Sequence, residues 1–177
     1  YIMGAQLTKN DKRTCYVAEL SAKDIGRHVC LMGWVQRQRD LGSLIFIDLR
    51  DRSGIVQLAF DENTPKDVFD RAFAVRSEFV LCAKGSVRMR SSVNDTIPTG
   101  KVEIAVDGLK VLSAAETPPF EIVENSNVRP ELRLKHRYLD LRRPDLQSNI
   151  INRAKIARIT REYFADNGFI EIETPDL

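Results

Sequence analysis

Two neighbouring β-strands with a turn between them are predicted by residues 39–58, RDLGSLIFIDLRDRSGIVQL. Side chains alternate between the two faces of a strand, so the first strand carries one apolar row. That row consists of Ile45, Ile47 and Leu49. Phe46 falls on the opposite face among polar neighbours, where a large aromatic side chain has little to pack against. The turn-prone Arg52-Ser53-Gly54 then leads into the second strand.

The second strand places an amide on the same face as Phe46. Its apolar row is formed by Val56, Leu58 and Phe60, which leaves Gln57 on the outer face. An aromatic ring that stacks on a base and an amide that reads a base edge are typical of a site for single-stranded RNA. The alternative is that Phe46 simply packs beneath a loop, and the pattern alone does not decide between the two.

The order of the predicted elements indicates a mainly β fold, a five-stranded OB-fold barrel with one interrupting helix. A strand over 29–38 precedes the pair described above, a helix begins at Pro65, and strands over 79–87 and 101–111 complete the set. Three strands, a helix and two more strands are the order of a small Greek-key barrel whose face binds oligonucleotides or oligosaccharides.

Charged residues on the predicted strands add to this outer face, although the net charge is only +2. In the fifth strand the alternation places Glu103 on the outer face, which is also the face of Phe46 and Gln57 on their strands. An outward glutamate is usually only solvated, so Glu103 alone does not indicate a site. Two basic clusters lie at 84–90 and 129–143. Each cluster, taken by itself, predicts a solvated face.

The composition divides the chain into three parts. These are an OB-fold domain, a linker and the start of a second domain, at residues 1–113, 114–144 and 145–177. In the last part a helix capped by Asp145 is predicted to end at Asn167-Gly168, and a short strand, FIEIET, follows before Pro175. One helix and one strand cannot bury a core, so we expect this chain to be part of a longer protein.

Common catalytic signatures do not occur in the sequence, which has no P-loop, dinucleotide fingerprint, HExxH motif, nucleophile elbow or zinc-binding cluster. The three cysteines have no CxxC or paired spacing, and this predicts free thiols. No segment is long and apolar enough to span a membrane, and the N-terminus lacks a signal-peptide core. We therefore expect a cytoplasmic protein with no membrane partner, whose OB-type domain serves in binding.

Four motifs together resemble the bacterial-type aspartyl-tRNA synthetases, a class II family, in the same order and at matching spacing. They are RDLGSLIFIDLRDRSGIVQL at 39–58, TGKVEI at 99–104, RLKHRYLDLRRP at 133–144 and NGFIEIETP at 167–175. The similarity extends over nearly the whole chain from about Arg13 onward. It implies an N-terminal OB-fold that binds the anticodon, a hinge, and an α+β catalytic domain that opens with motif 1. By that resemblance motif 1 runs from Gln147 to Pro175, its terminal proline.

The resemblance implies a role in anticodon recognition for individual residues. Phe46 matches the aromatic that stacks on the central anticodon base, and Gln57 matches the amide that bonds to that base. Glu103 matches the acid that faces the first base, and Arg39 matches the arginine near the third. Backbone or base contacts are also implied for Arg37, Arg88, Arg90 and Asn94. Lys101 departs from the family, which commonly has an acid there.

For a longer protein the resemblance implies ATP-dependent activation of aspartate to an adenylate, with magnesium, and transfer to tRNA-Asp. Motifs 2 and 3, which in the family bind ATP and aspartate, do not occur in these 177 residues. We therefore expect the chain by itself to hold no catalytic residue, cofactor or metal and to be inactive in aminoacylation. Motif 1 forms the dimer interface in the family, so the longer protein is expected to be a homodimer.

Other interpretations stay open at this point. A free-standing OB module that binds single-stranded nucleic acid without sequence preference accounts for Phe46 and the arginines, but not for the Arg-rich segment at 133–144. A related synthetase for asparagine or lysine would share the OB-fold. An oligosaccharide-binding OB domain agrees poorly with a sequence that shows no sign of secretion. The sequence also leaves open whether the longer protein charges tRNA-Asn.

Overall fold

The computed structural model describes residues 5–9 and 11–175. The chain divides into two compact units, Tyr1–Thr117 and Pro118–Leu177. The first unit contains all of the β-strands of the described residues, and the second contains three of their four α-helices. Each unit is described separately below.

The first unit is a closed barrel built in the predicted element order. Its strands are β1 His28–Asp40, β2 Ile45–Arg50, β3 Ile55–Phe60, β4 Val80–Met89 and β5 Val102–Ser113, with helix α1, Lys66–Ala74, between β3 and β4. The strands follow the order β1-β2-β3-β5-β4 around the barrel. Neighbours pair antiparallel except β3 and β5, which pair in parallel and complete the closure. The predicted mainly β OB-fold is confirmed.

The barrel interior is filled by the apolar rows that the alternation predicted. The rows of β2 and β3 are fully buried and consist of Ile45, Ile47, Leu49, Val56, Leu58 and Phe60. Helix α1 adds Val68 and Ala72 to the same core. A shift of one residue in the pairing would turn every one of these side chains outward, so burial of the rows also fixes which residues occupy the outer face.

A close backbone contact accompanies an irregularity between β4 and β5. The pairing register shifts between Lys84 and Gly85, as expected for a β-bulge. A Cβ atom at Gly85 would lie 2.1 Å from the carbonyl oxygen of Ala105. No real Cβ approaches an oxygen so closely, so only glycine fits at this position without a movement of the backbone.

Gly85→Ala is expected to lower the free energy of unfolding by about 1–3 kcal/mol, because the new methyl group overlaps backbone that is held in the strand ladder. Gly108→Ala is the matched control on the partner strand. Its Cβ would meet Lys84 at an ordinary 3.4 Å. Urea denaturation of both variants measures the difference, and equal stabilities would show that the bulge tolerates a side chain.

The second unit is more helical than the sequence pattern predicted. Two short helices, α2 Pro130–Lys135 and α3 Arg137–Asp140, lie in the segment for which no helix was predicted. Helices of six and four residues are too short to show a hydrophobic period, which explains the omission. Helix α4, Pro144–Asp166, begins one residue before the predicted cap because proline fits the first turn of a helix.

The strand predicted after α4 is not formed in the described residues, where 169–175 has no regular structure. Alternating side chains predict a strand only if another strand supplies hydrogen-bond partners, and here none pairs with the segment. The chain instead folds back on α4. The ring of Phe169 meets that of Phe164 edge-on at 5.4 Å, and Glu171 pairs with Arg161 at 2.9 Å.

The Arg-rich segment at 133–144 is organised around one buried carboxylate. Asp140 is completely buried. It accepts hydrogen bonds at 2.9 Å from Nε of Arg133, 2.5 Å from Arg137 and 3.3 Å from Arg143. These arginines, led by Arg133, hold the pKa of Asp140 below its usual value although burial opposes this. Much of this basic run is therefore committed to an internal ion cluster.

Asp140→Asn is expected to loosen α2 and α3, because it removes the buried negative charge that three guanidinium groups share. Hydrogen–deuterium exchange of the backbone amides at 133–143 should become at least ~tenfold faster. Asp145→Asn is the control, since Asp145 pairs with Arg143 at the more exposed rim of the cluster. Similar protection in the two variants would contradict a central role for Asp140.

Helix α4 carries apolar side chains that this chain leaves exposed. Ile156, Ile159 and Tyr163 are 59–65% exposed, and Pro175 beyond the helix is exposed as well. Large exposed apolar patches are typical of interaction surfaces. Among the described residues no helix, α4 included, combines the length and apolar character needed to cross a bilayer.

Candidate nucleic-acid interface

Outward side chains from all five strands meet on one side of the barrel. Register pairs Arg39 with Phe46, and Gln57 with Glu103. Arg88 of β4 stands opposite Glu103 on the other side of β5. Positions that pair directly across strands have side chains on the same face within contact distance. Residues that are far apart in sequence therefore form one continuous surface, called the outer network below.

Gln57 lies at the centre of the outer network. Its side-chain oxygen accepts hydrogen bonds from Nη2 of Arg39 at 3.0 Å and from Nη2 of Arg90 at 2.8 Å. Its Nε2 donates to Glu103 at 2.7 Å. Gln57 is 5% exposed and Glu103 is 4% exposed, so the alternative that Glu103 is simply a solvated side chain does not hold. Three partners fix the orientation of the Gln57 amide.

Glu103 is held from its other side by Arg88. Nε of Arg88 donates to Oε1 of Glu103 at 2.8 Å, and Nη1 of Arg88 donates to Asp61 at 2.8 Å. Burial works against ionisation of Arg88, but the bonds to Asp61 and Glu103 raise its pKa. Burial likewise opposes ionisation of Asp61, yet bonds from Arg88 and the Asn63 backbone lower its pKa. Both groups are therefore charged at neutral pH.

Phe46 lies at the edge of the outer network and is partly buried. The guanidinium carbon of Arg39 lies 5.8 Å from the centre of the Phe46 ring, within the range of a cation–π contact. Arg39 also donates to Asp48 at 3.1 Å. The ring is thus oriented by a neighbour that is itself held in place, and it does not pack into the barrel core.

Two of the residues singled out from the sequence stand apart from the network contacts. Arg37 is an exposed residue of β1. Asn94 lies in the loop before β5, where its side-chain oxygen accepts bonds from the backbone and hydroxyl of Thr96. Its carboxamide oxygen therefore shapes the loop.

Two acidic residues of the network were not predicted as site residues. Asp48 occupies the outer row of β2 next to Phe46, so the same alternation of faces could have identified it. Asp61 follows the last residue of β3, where no periodic pattern extends. Only the folded barrel brings it to Arg88.

The outer network combines an aromatic face with buried, oriented hydrogen-bonding groups. Gln57 has both oxygen lone pairs engaged, which leaves its second Nε2–H to offer to an acceptor. The Glu103 carboxylate accepts two hydrogen bonds out of about four that it is able to accept, so it can still bind further donors. An aromatic ring beside oriented hydrogen-bonding groups is the chemistry needed to stack one base and to read the edges of others. In the described residues no cluster of three or more histidine, cysteine or acidic side chains could hold a metal ion.

Comparison with known proteins agrees with this geometry. The OB-fold nucleic acid binding domain family matches residues 29–112, and the class II tRNA synthetases (D, K and N) match residues 129–177. The aspartate–tRNA(Asp/Asn) ligase of Caldanaerobacter subterraneus subsp. tengcongensis is 54% identical over 99% of this chain. The aspartate–tRNA ligase of Ruminiclostridium cellulolyticum is 53% identical over 94% of it.

The chain is homologous to the aspartate–tRNA ligases. It spans 30% and 28% of the lengths of these two relatives. The match to the OB-fold nucleic acid binding domain family falls on the barrel, and the match to the class II synthetases falls on the second unit. The resemblance inferred from the four sequence motifs is confirmed.

Solved structures support the same fold. The aspartyl-tRNA synthetase of Entamoeba histolytica matches with a TM-score of 0.84 at 23% identity, covering 96% of this chain and 40% of that one. The asparaginyl-tRNA synthetase of Pyrococcus horikoshii, complexed with asparaginyl-adenylate, matches with a TM-score of 0.76 at 28% identity. That match covers 93% of this chain and 36% of the other.

Arg88→Met is expected to destabilise the barrel by about 1–2 kcal/mol, because it leaves the buried carboxylate of Glu103 without its cation. The Arg88 side chain is 40% exposed, which keeps the cost below that of a fully buried pair. Glu103→Gln in the same chain should recover part of the loss. Chemical denaturation of both single variants and the double variant measures the coupling, and additive effects would mean that the pair contributes no interaction energy.

Proposed function

We propose that this barrel binds the anticodon loop of tRNA-Asp as the N-terminal part of an aspartate–tRNA ligase. The observation that carries the proposal is the outer network itself, in which Phe46 lies beside the mutually bonded Gln57 and Glu103. The homology to aspartate–tRNA ligases supplies the class of ligand.

In this proposal the loop unstacks and its bases spread over the barrel. The central base stacks on Phe46 and is read by Gln57, the first base meets Glu103, and the third lies near Arg39. Arg37, Arg88, Arg90 and Asn94 provide the remaining backbone or base contacts. A stacking contact of this kind contributes roughly 1–3 kcal/mol. The arginines add attraction to phosphates, which makes the affinity depend on salt.

For the longer ligase we propose ATP-dependent formation of an aspartyl-adenylate, with magnesium, followed by transfer of aspartate to tRNA-Asp. The division proposed for this chain is an anticodon-binding domain, a hinge and the start of motif 1, at residues 1–113, 114–144 and 145–177. The chain alone is proposed to be inactive in aminoacylation. The exposed apolar side chains of α4 support a homodimer of the longer protein in which the helix and Pro175 contribute to the interface.

Phe46→Ala should weaken binding of a tRNA-Asp anticodon stem-loop by about 5- to 100-fold, since it removes the stacking surface for the central base. It should also abolish most of the preference over a loop changed at that base. Fluorescence anisotropy at one fixed salt concentration measures both quantities. Phe73→Ala is a matched control, because Phe73 is a 56% exposed aromatic of α1 and so lies outside the strands that carry Phe46, Gln57 and Glu103.

Equal binding of native and altered loops by the wild-type chain would refute anticodon recognition. A stem-loop with the tRNA-Asn anticodon belongs in the same series, because relatives of this chain carry both the Asp and the Asp/Asn names. Tight binding of both loops would show that the barrel accepts the anticodons of both tRNA-Asp and tRNA-Asn.

A further inference from the structure

The outer network contains equal numbers of positive and negative side chains. The cations are Arg39, Arg88 and Arg90, and the anions are Asp48, Asp61 and Glu103. A surface built only to attract phosphates would leave its arginines unpaired. Here Arg39 bonds to Asp48, and Arg88 bonds to Asp61 and Glu103, whereas Arg90 bonds to the amide oxygen of Gln57. The acids therefore restrain Arg39 and Arg88.

Asp61 has a specific position in this arrangement. It binds Nη1 of Arg88, while Nε of the same guanidinium binds Glu103. The side chain of Asp61 is 16% exposed and that of Arg88 is 40% exposed. Arg88 therefore divides its hydrogen bonds between two carboxylates and gives Glu103 only one.

A guanidinium released from Asp61 would have another arrangement available. Arginine and a carboxylate readily form a bidentate pair with two parallel hydrogen bonds. Such a pair on Glu103 would use both of its oxygens and consume the acceptor capacity that a base edge needs. Loss of the Asp61 carboxylate would also leave the outer network with three positive and two negative side chains.

We propose that Asp61 is a specificity-determining positioning residue that restrains Arg88 and thereby keeps the carboxylate of Glu103 available to a base. This inference rests on the proposed anticodon-binding function and adds a residue to it. Asp61 acts through Arg88 and needs no contact with RNA. Removal of the Asp61 carboxylate lowers the discrimination between bases and increases the unspecific attraction to phosphate.

The test compares Asp61→Asn with the wild-type chain. Asparagine retains an oxygen for the backbone N–H of Asn63, which now bonds to Asp61 at 2.9 Å, but it presents an amide to Arg88. The matched control is Asp67→Asn, which removes one negative charge from an exposed pair with Arg71 on α1, outside the network. Thermal unfolding verifies that all variants are folded.

Binding is measured with the native tRNA-Asp anticodon stem-loop, the same loop changed at its first base, and oligouridine, over a series of potassium chloride concentrations. For Asp61→Asn the preference for the native first base should fall roughly fivefold or more. Oligouridine should bind more tightly, and its salt slope should steepen by about 0.7, the value for one more phosphate contact with a single strand. Asp67→Asn should leave the discrimination unchanged.

A second variant separates restraint of Arg88 from a purely structural role of Asp61. Lysine cannot form the bidentate pair, so adding Arg88→Lys to Asp61→Asn should restore part of the lost discrimination while the steeper salt slope remains. If Asp61→Asn matches Asp67→Asn in both quantities, or weakens all RNAs with an unchanged slope, the inference about Asp61 is wrong. If the wild-type chain shows no base preference, the proposed function itself fails.

Discussion

Parallel pairing of β3 with β5 is the contact on which the rest of the first unit depends. Only three residue pairs form it, and one of them places Gln57 opposite Glu103. The same contact closes the barrel, removes the open sheet edges and buries the apolar rows of both strands. Because the pairing that completes the fold also joins the two central polar residues, a register error at this point would destroy the core and the outer network together.

In the outer network, polar side chains are buried near the protein surface with their hydrogen bonds satisfied inside the protein. Gln57 is 5% exposed with three hydrogen-bond partners, and Glu103 is 4% exposed with two, so their desolvation is offset within the protein. Their orientation is set before any ligand arrives, which reduces the entropy lost on binding. Asp48 and Asp61 likewise restrain the guanidinium groups of Arg39 and Arg88.

In the second unit a buried carboxylate also holds several arginines, and there the cluster stabilises the fold. Asp140 draws Arg133, Arg137 and Arg143 into one buried cluster and so holds two helices that are too short to be stable by themselves. Clusters of arginine look alike in sequence whether they bind nucleic acid or a buried carboxylate. The contacts around Asp140 assign much of this run to internal structure, whereas the apolar surface of α4 stays open to a partner.

The sequence by itself determined the barrel, the element order and the face on which Phe46, Gln57 and Glu103 lie, because a two-residue period and a buried core leave one consistent arrangement. Its motifs also identified the family. Tertiary structure alone decided that Asp61 reaches Arg88 and that Asp140 gathers its arginines, since neither contact has a local period. It also decided that 169–175 forms no strand here. Alternation of apolar and polar side chains shows that a segment is able to form a strand. The strand forms only where another strand supplies its hydrogen bonds.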